Sequence, residues 1–175
     1  MQKTRSIVMK ILTNEIVLAI IIALFLKAFI VDSRYVPSAS MYPTLQINDR
    51  LLVNKLAYRF SEPERGDIVI FTPPPVVDSK YDYVKRIIGL PGEVVEIKNG
   101  KVYINGNPLE EDYIAENPNY HFGPAKIPPG HLLVLGDNRN KSFDGHLWKQ
   151  WLSIDSLKGK VFFRYWPLDR IGVVK

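Results

Sequence analysis

Residues 11–31 read ILTNEIVLAIIIALFLKAFIV, and no charge interrupts the run from Ile16 to Leu26. As a helix rising 1.5 Å per residue, this stretch reaches about 31 Å, matching the ~30 Å hydrocarbon core of a bilayer. Asn14, Glu15 and Lys27 sit near its ends, where long side chains can snorkel to the interface. Lys3, Arg5 and Lys10 precede it, and Asp32 and Arg34 follow. The positive-inside bias then predicts a cytoplasmic N-terminus over 1–10, a transmembrane anchor over 11–31 and an extracytoplasmic domain over 32–175. A cleaved secretory signal also begins basic and turns apolar, but the small-residue site Ser38-Ala39-Ser40 lies far from the run. A buried core helix would need a polar face, which this run lacks. A retained anchor is the favoured reading.

After residue 45 the pattern changes to short strands. Arg50-LLV, Asp67-IVIF, Tyr83-VKRIIG, Glu93-VVEI, Lys101-VYI, His131-LLVLG and Lys160-VFFRYW are β-branched or aromatic runs bounded by Gly, Pro, Asn or Asp. Asn99-Gly100 between two such runs is the strongest hairpin signal in the chain, and Asn105-Gly106 marks a second tight turn. Helical periodicity is scarce beyond residue 31. The expected fold is therefore mainly β: one N-terminal transmembrane helix followed by a compact domain of coiled antiparallel β-sheets. Pro73-Pro74-Pro75 reads as a surface linker, and the polar, Pro- and Tyr-containing stretch 107–129 as a surface excursion.

Composition narrows the chemistry. The chain has no cysteine, which removes thiol catalysis, disulfides and Cys-type zinc sites together. Its three histidines, His121, His131 and His146, are widely spaced and form no HExxH pattern. No metal and no cofactor are expected. The net charge of +5 comes from scattered residues, so nucleic acid is not an expected partner, while a weak pull toward anionic lipid is.

A hydrolase without a metal can activate a serine with a neutral lysine. Lowering a lysine from about 10.4 to about 7 costs roughly 4–5 kcal/mol against the charged form, so the lysine must lie in an apolar strand. Lys85 in YVKRIIG fits, sharing one face with Tyr83 and Ile87 by period-two alternation. The ordinary reading of Lys85-Arg86 is a solvated pair on an edge strand. Gly136-Asp137-Asn138-Arg139-Asn140-Lys141-Ser142-Phe143-Asp144 packs acid, amide, hydroxyl and guanidinium behind an apolar strand. That density suits a solvated hairpin end, or a scaffold that orients a catalytic lysine. PSASMYPTL, residues 37–45, taken alone is a Ser-rich turn.

Taken together and in this order behind an apolar anchor, PSASMYPTL, Arg65-GDIVIF, YVKRIIGLPGE and GDNRNKSFD resemble the type I signal peptidases, membrane-anchored Ser/Lys-dyad proteases. The resemblance implies Ser40 as nucleophile, Lys85 as general base, and Ser38 with the Ser40 amide as oxyanion hole. It implies that Ser142 holds the lysine amine, with Asp144, Arg139 and Asp137 in the supporting polar network. It implies signal peptides of exported preproteins as substrates, cut after small residues of the Ala-x-Ala type, with Val36 and Val84 lining the shallow pockets. The lipid bilayer is the second implied partner, with the catalytic domain outside a plasma or thylakoid membrane, and a monomer is the expected state. The loop departs from GDNRDNSxDSR at Asn140, Lys141, Gly145 and His146, which leaves its shape open. Two other classes stay open at this point: a related Ser/Lys self-cleaving protease, and a non-catalytic membrane-anchored β domain that binds peptides.

Overall fold

The structure, a computed structural model, describes residues 2–175, with side chains from Asn14 onward. Helix α1 (Gln2–Phe29) contains most of the expected anchor, and its apolar side chains from Ile16 to Phe29 stand exposed. The side chains of residues 11–13 lie outside the described residues. Among the described residues no helix is long and apolar enough to cross a membrane. The helix also stops short of the expected boundary at Val31. Lys55 caps its end, donating its Nζ to the Ala28 carbonyl and its backbone N–H to Ile30 O. Val31 instead opens strand β1 (Val31–Tyr35).

The chain beyond α1 is built from strands. They are β2 (Arg50–Asn54), β3 (Ile68–Phe71), β4 (Tyr83–Gly89), β5 (Val94–Lys98), β6 (Lys101–Ile104), β7 (Asn107–Pro108), β8 (Phe122–Lys126), β9 (His131–Leu135), β10 (Leu152–Ser153), β11 (Leu157–Trp166) and β12 (Gly172–Val173). The larger sheet runs β1-β2-β11-β3-β4-β9-β10, with β12 also on β11, and the smaller runs β7-β6-β5-β8. Neighbouring strands pair antiparallel in both sheets. Register shifts interrupt β11 and β4, and such bulges increase local twist, so the large sheet curls. The Asn99-Gly100 hairpin forms as expected: both residues have positive φ, 50° and 75°, as a two-residue type I′ turn requires.

Segment 107–129 departs from the sequence expectation. It supplies β7 and β8, buries Ile127, and packs Leu109, Tyr113, Tyr120 and Phe122 against the core beneath the smaller sheet. Its polar composition hid an alternate-face pattern in which one side is buried and the other wet. Pro73 and Pro74 are also buried rather than purely superficial.

Strand β4 positions the site. It lies between β3 and β9 in the larger sheet, so the edge-strand reading of Lys85-Arg86 does not apply. Both its faces are covered, as its near-continuous apolar run demands. Tyr83 and Ile87 face a core of Val69, Phe71, Leu132, Val134 and Trp148. On the opposite face, Val84 packs on one apolar cluster and Ile88 lies in another. Lys85 belongs to the first face and Arg86 to the second, and both are almost fully buried.

Candidate active site

The turn that carries Ser40 is held from below. Met41 and Leu45 are both fully buried, and Leu45 N–H bonds back to Met41 O at 2.8 Å, forming one helical turn whose apolar side plugs the core. Ser40 precedes that turn. From above, Asn138 clamps it: its backbone N–H donates to Ser40 O at 3.1 Å and its side-chain amide to Ala39 O at 3.0 Å. Neither bond was anticipated, because nothing local marks Asn138 apart from its neighbours in the polar turn.

Within this frame Lys85 Nζ lies 2.6 Å from Ser40 Oγ. Ser38 Oγ lies 3.3 Å from the same Ser40 oxygen. Burial pulls the Lys85 ammonium down to about 8, because a charged amine loses its hydration there, while the nearby Asp144 and Asp137 carboxylates pull the other way. The uncharged amine is thereby accessible near neutral pH and within reach of a hydroxyl proton. This arrangement can deprotonate a serine.

The loop after β9 forms a buried polar frame around the pair. Asp137 accepts from Arg86 Nε at 2.9 Å and Nη2 at 2.8 Å, and from Thr44 Oγ1 at 2.5 Å. Arg139 is fully buried, clamps Glu111 with two bonds of 2.7 Å, and donates Nε to Gly136 O at 3.0 Å. Asp144 takes the Gly136 N–H at 2.8 Å and pairs with His146 Nδ1 at 2.6 Å. Ser142 Oγ is buried without a hydrogen-bond partner. The bond expected between Ser142 and the lysine amine is therefore not made; the hydroxyl packs instead against Gly136, where an added Cβ would collide with Ser142 Oγ and Ser40 O. Glycine at 136 is what lets the two segments close.

A groove of about 700 Å³ opens beside Ser40 and Lys85, lined in part by Ser38, Ile70, Tyr83, Val84 and Phe143. Val84 lies on that wall. Val36 does not: it is 1 % exposed, packed in the core with Met41 and Leu45, because the turn at 36–49 folds its side chain inward. Sequence reasoning also missed Arg86, Thr44 and Glu111 as members of the frame. Arg86 had been read with Lys85 as a solvated edge-strand pair, and Glu111 carried no local signal. Among the described residues no three His, Asp or Glu side chains group so as to hold a metal ion.

The signal peptidase family model, peptidase S26, matches residues 9–166. The chain belongs to that family. It is similar to a probable signal peptidase I-2 of Synechocystis sp. (strain ATCC 27184 / PCC 6803 / Kazusa), with 48% identity over 93% of this chain and 76% of that one. Signal peptidase I of Leptolyngbya laminosa is 45% identical over 89% of this chain and 78% of its own length. The crystal structure of a signal peptidase I from Enterococcus faecalis V583 matches with a TM-score of 0.50 at 34% identity, covering 57% of this chain and 97% of that one. The curled antiparallel β architecture is thus that of a signal peptidase I, and the chain is a serine endopeptidase of the S26 family.

Proposed function

We propose that Ser40 is the nucleophile and Lys85 the general base with which this signal peptidase removes N-terminal signal peptides from exported preproteins. The observation that carries the reading is the 2.6 Å contact between Ser40 Oγ and a buried Lys85 amine whose pKa falls to about 8. The neutral amine takes the Ser40 proton as Oγ attacks the scissile carbonyl. The resulting Lys85 ammonium then gives that proton to the leaving amine, and an acyl group remains on Ser40. In the second half the neutral amine takes a proton from a water molecule as its oxygen attacks the acyl carbonyl, and the ammonium returns that proton to Ser40 Oγ as the acid leaves. The Ser40 amide and the Ser38 hydroxyl act as oxyanion donors, each worth roughly 3–4 kcal/mol in such sites.

The substrate lies extended in the groove, its small side chains against Val84 and Ile70, in keeping with Ala-x-Ala cleavage. Asp137, Arg139 and Asp144 hold the loop that supports both reactive groups, and the free Ser142 hydroxyl is available to the amine during turnover. Helix α1 is the retained anchor: its exposed apolar side chains need a non-aqueous surrounding, and the basic residues before it place the N-terminus in the cytoplasm. Ser40 is eleven residues beyond Phe29, so it stays within about 40 Å of the helix end, close to where a membrane-bound precursor exposes its cleavage site. The catalytic domain, 32–175, lies outside a plasma or thylakoid membrane and acts as a monomer.

Ser40→Ala tests the assignment. Processing of a preprotein in membranes or detergent should fall by at least about a thousandfold. Intact processing would sink the Ser40 reading, and normal peptide binding without cleavage in the wild-type chain would favour a non-catalytic binding domain.

A further inference from the structure

The loop after β9 commits nearly all of its polar side chains to the protein itself. Asp137 is forked by Arg86, Asn138 donates its side-chain amide to Ala39 O, Arg139 is held by Glu111, and Asp144 takes the Gly136 N–H. Asn140 turns the other way, accepting from Asn119 N–H at 2.8 Å and donating to Asn117 O at 3.0 Å. Ser142 is buried. Lys141 differs from all of these. It is exposed, and among the described residues its amine has neither a carboxylate within ion-pair distance nor a hydrogen-bond partner. Its backbone is nonetheless fixed: the N–H bonds to Asn138 O at 3.0 Å, and buried Arg139 and Ser142 flank it. Lys141 is thus a long, mobile cation on a rigid mount, and with Phe143 it lines the groove that holds Ser40 and Lys85.

The other charges along that groove are already balanced. Arg34 is held by Asp32 and Asp82 at 2.8 and 2.9 Å, and Asp82 takes Lys158 as well. The run of the chain gives the groove a direction. Strand β1 leaves α1 directly, and segments 33–40 and 79–85 both run toward the reactive pair, so the arm lined by Ser33, Arg34 and Tyr81 is the one nearest the anchor. A signal peptide held in the membrane enters along that arm. The loop bearing Lys141 touches the nucleophile turn itself, through Asn138 on Ser40 O and Ala39 O, so the chain beyond the scissile bond leaves past it. We propose that Lys141 is a specificity-determining residue that favours precursors with a carboxylate side chain, Glu or Asp, in the first two positions after the cleaved bond. A carboxylate there meets an ammonium that has no other anion, whereas a lysine there meets a like charge. The contact is exposed, so it sorts substrates rather than anchoring them, and salt weakens it. The inference rests on the reading of Ser40 and Lys85 as the catalytic pair, and the test separates the two.

The experiment measures kcat/KM of the full chain in detergent on three preproteins whose first two residues after the cleavage site are both Glu, both Gln or both Lys. At low ionic strength wild type should favour the Glu over the Lys substrate by about three- to tenfold, the size expected of exposed charge contacts. Lys141→Gln should cut that ratio by at least about threefold, Lys141→Glu should invert it, and Lys141→Arg should keep it. The Gln substrate is the reference, so a loss common to all substrates cancels. Raising the salt to about 0.5 M should shrink the wild-type ratio and leave that of K141Q nearly unmoved. A Glu-to-Lys ratio that ignores the residue at 141 would overturn the proposal. So would a response to K141E confined to charges placed on the signal side of the cleaved bond. Failure of the catalytic reading looks different: Ser40→Ala would still process the Gln substrate, whereas failure of this proposal leaves an enzyme that needs Ser40 but is blind to the charge at 141.

Discussion

Strand β4 buries two adjacent cations on opposite faces, at 4 % exposure for Lys85 and 2 % for Arg86, and the two sides of the strand handle them differently. On one face Arg86 keeps its charge. Its guanidinium is forked onto Asp137, donates to Gly66 O at 2.8 Å and lies 3.9 Å over the Tyr113 ring. On the other face Lys85 has no carboxylate in contact, only the Ser40 hydroxyl and the face of the Tyr83 ring, 5.7 Å from the amine to the ring centre. Burial without a paired anion is what drives its pKa to about 8. A guanidinium could not serve there, since it does not give up its proton in proteins, and an amine could not make the fork to Asp137. The strand thus separates a cation held charged by a paired anion from a buried amine that sheds its charge, the one proposed above as the base, by choice of residue and by where the anions stand.

The largest test of that contrast is Lys85→Met. Loss of the base should lower turnover by about 10²–10⁴-fold. The same change should stabilise the fold. A lysine whose pKa drops from 10.5 to about 8 on folding resists folding at low pH, by an amount of order 3 kcal/mol. That cost is fully present below about pH 8, is relieved as pH rises toward 10.5, and is absent above it. Urea denaturation should therefore show K85M ahead of wild type by up to about 3 kcal/mol at pH 7, with the gap closing by pH 10.5. An inactive K85M that is less stable than wild type at pH 7 would mean that the lysine is paired like its neighbour, and the contrast would collapse.

Arg86→Met probes the other face and should act in the opposite sense. It leaves Asp137, which has no solvent exposure, with Thr44 as its remaining donor. Breaking one side of a buried pair typically costs about 3–5 kcal/mol, because the stranded charge is more expensive than the pair was valuable. The midpoint of urea unfolding should fall accordingly. Adding Asp137→Asn to R86M should recover part of the loss. A drop in the single variant of less than about 1 kcal/mol, or no recovery in the double, would show that the pair is not what holds this face.

The contrast also explains which parts of the molecule were legible from sequence. The seven strand runs and the Asn99-Gly100 hairpin announce themselves locally, through period and turn chemistry, whereas the Ser40, Lys85 and Asp144 segments drew notice only as a set in one order behind the apolar run. Lys85 stood out only when YVKRIIGLPGE was read together with PSASMYPTL and GDNRNKSFD, since alone it reads as half of a solvated edge-strand pair. Partner choice was not legible. Nothing near Glu111 says that it will meet Arg139, 28 residues on, and the polar stretch around it reads as surface. That Val36 turns into the core while Val84 lines the groove depends on how the 36–49 turn packs against β4, a long-range outcome. Strand order was equally hidden, since β11 inserts between β2 and β3 from the far end of the chain.

Thr44 is where the two faces communicate, and it sets the smallest of the expected effects. Its hydroxyl donates to Asp137 Oδ2, while its carbonyl accepts from Arg164 at 2.9 Å, tying the turn after Ser40 to β11. Thr44→Val keeps the shape and the carbonyl bond but removes the donor. Asp137 retains Arg86, so the cost should be that of one hydrogen bond to a buried charge, about 1.5–3 kcal/mol, visible in urea unfolding. The less satisfied Asp137 should also hold the Lys85 ammonium a little more firmly, because it already opposes the fall in that pKa. The acid limb of the pH profile should therefore move up by less than about half a unit, since Arg86 still neutralises most of the charge. A shift of about one unit or more in T44V would mean that Asp137 holds the Lys85 ammonium despite its fork with Arg86, and the separation of the two faces would fail.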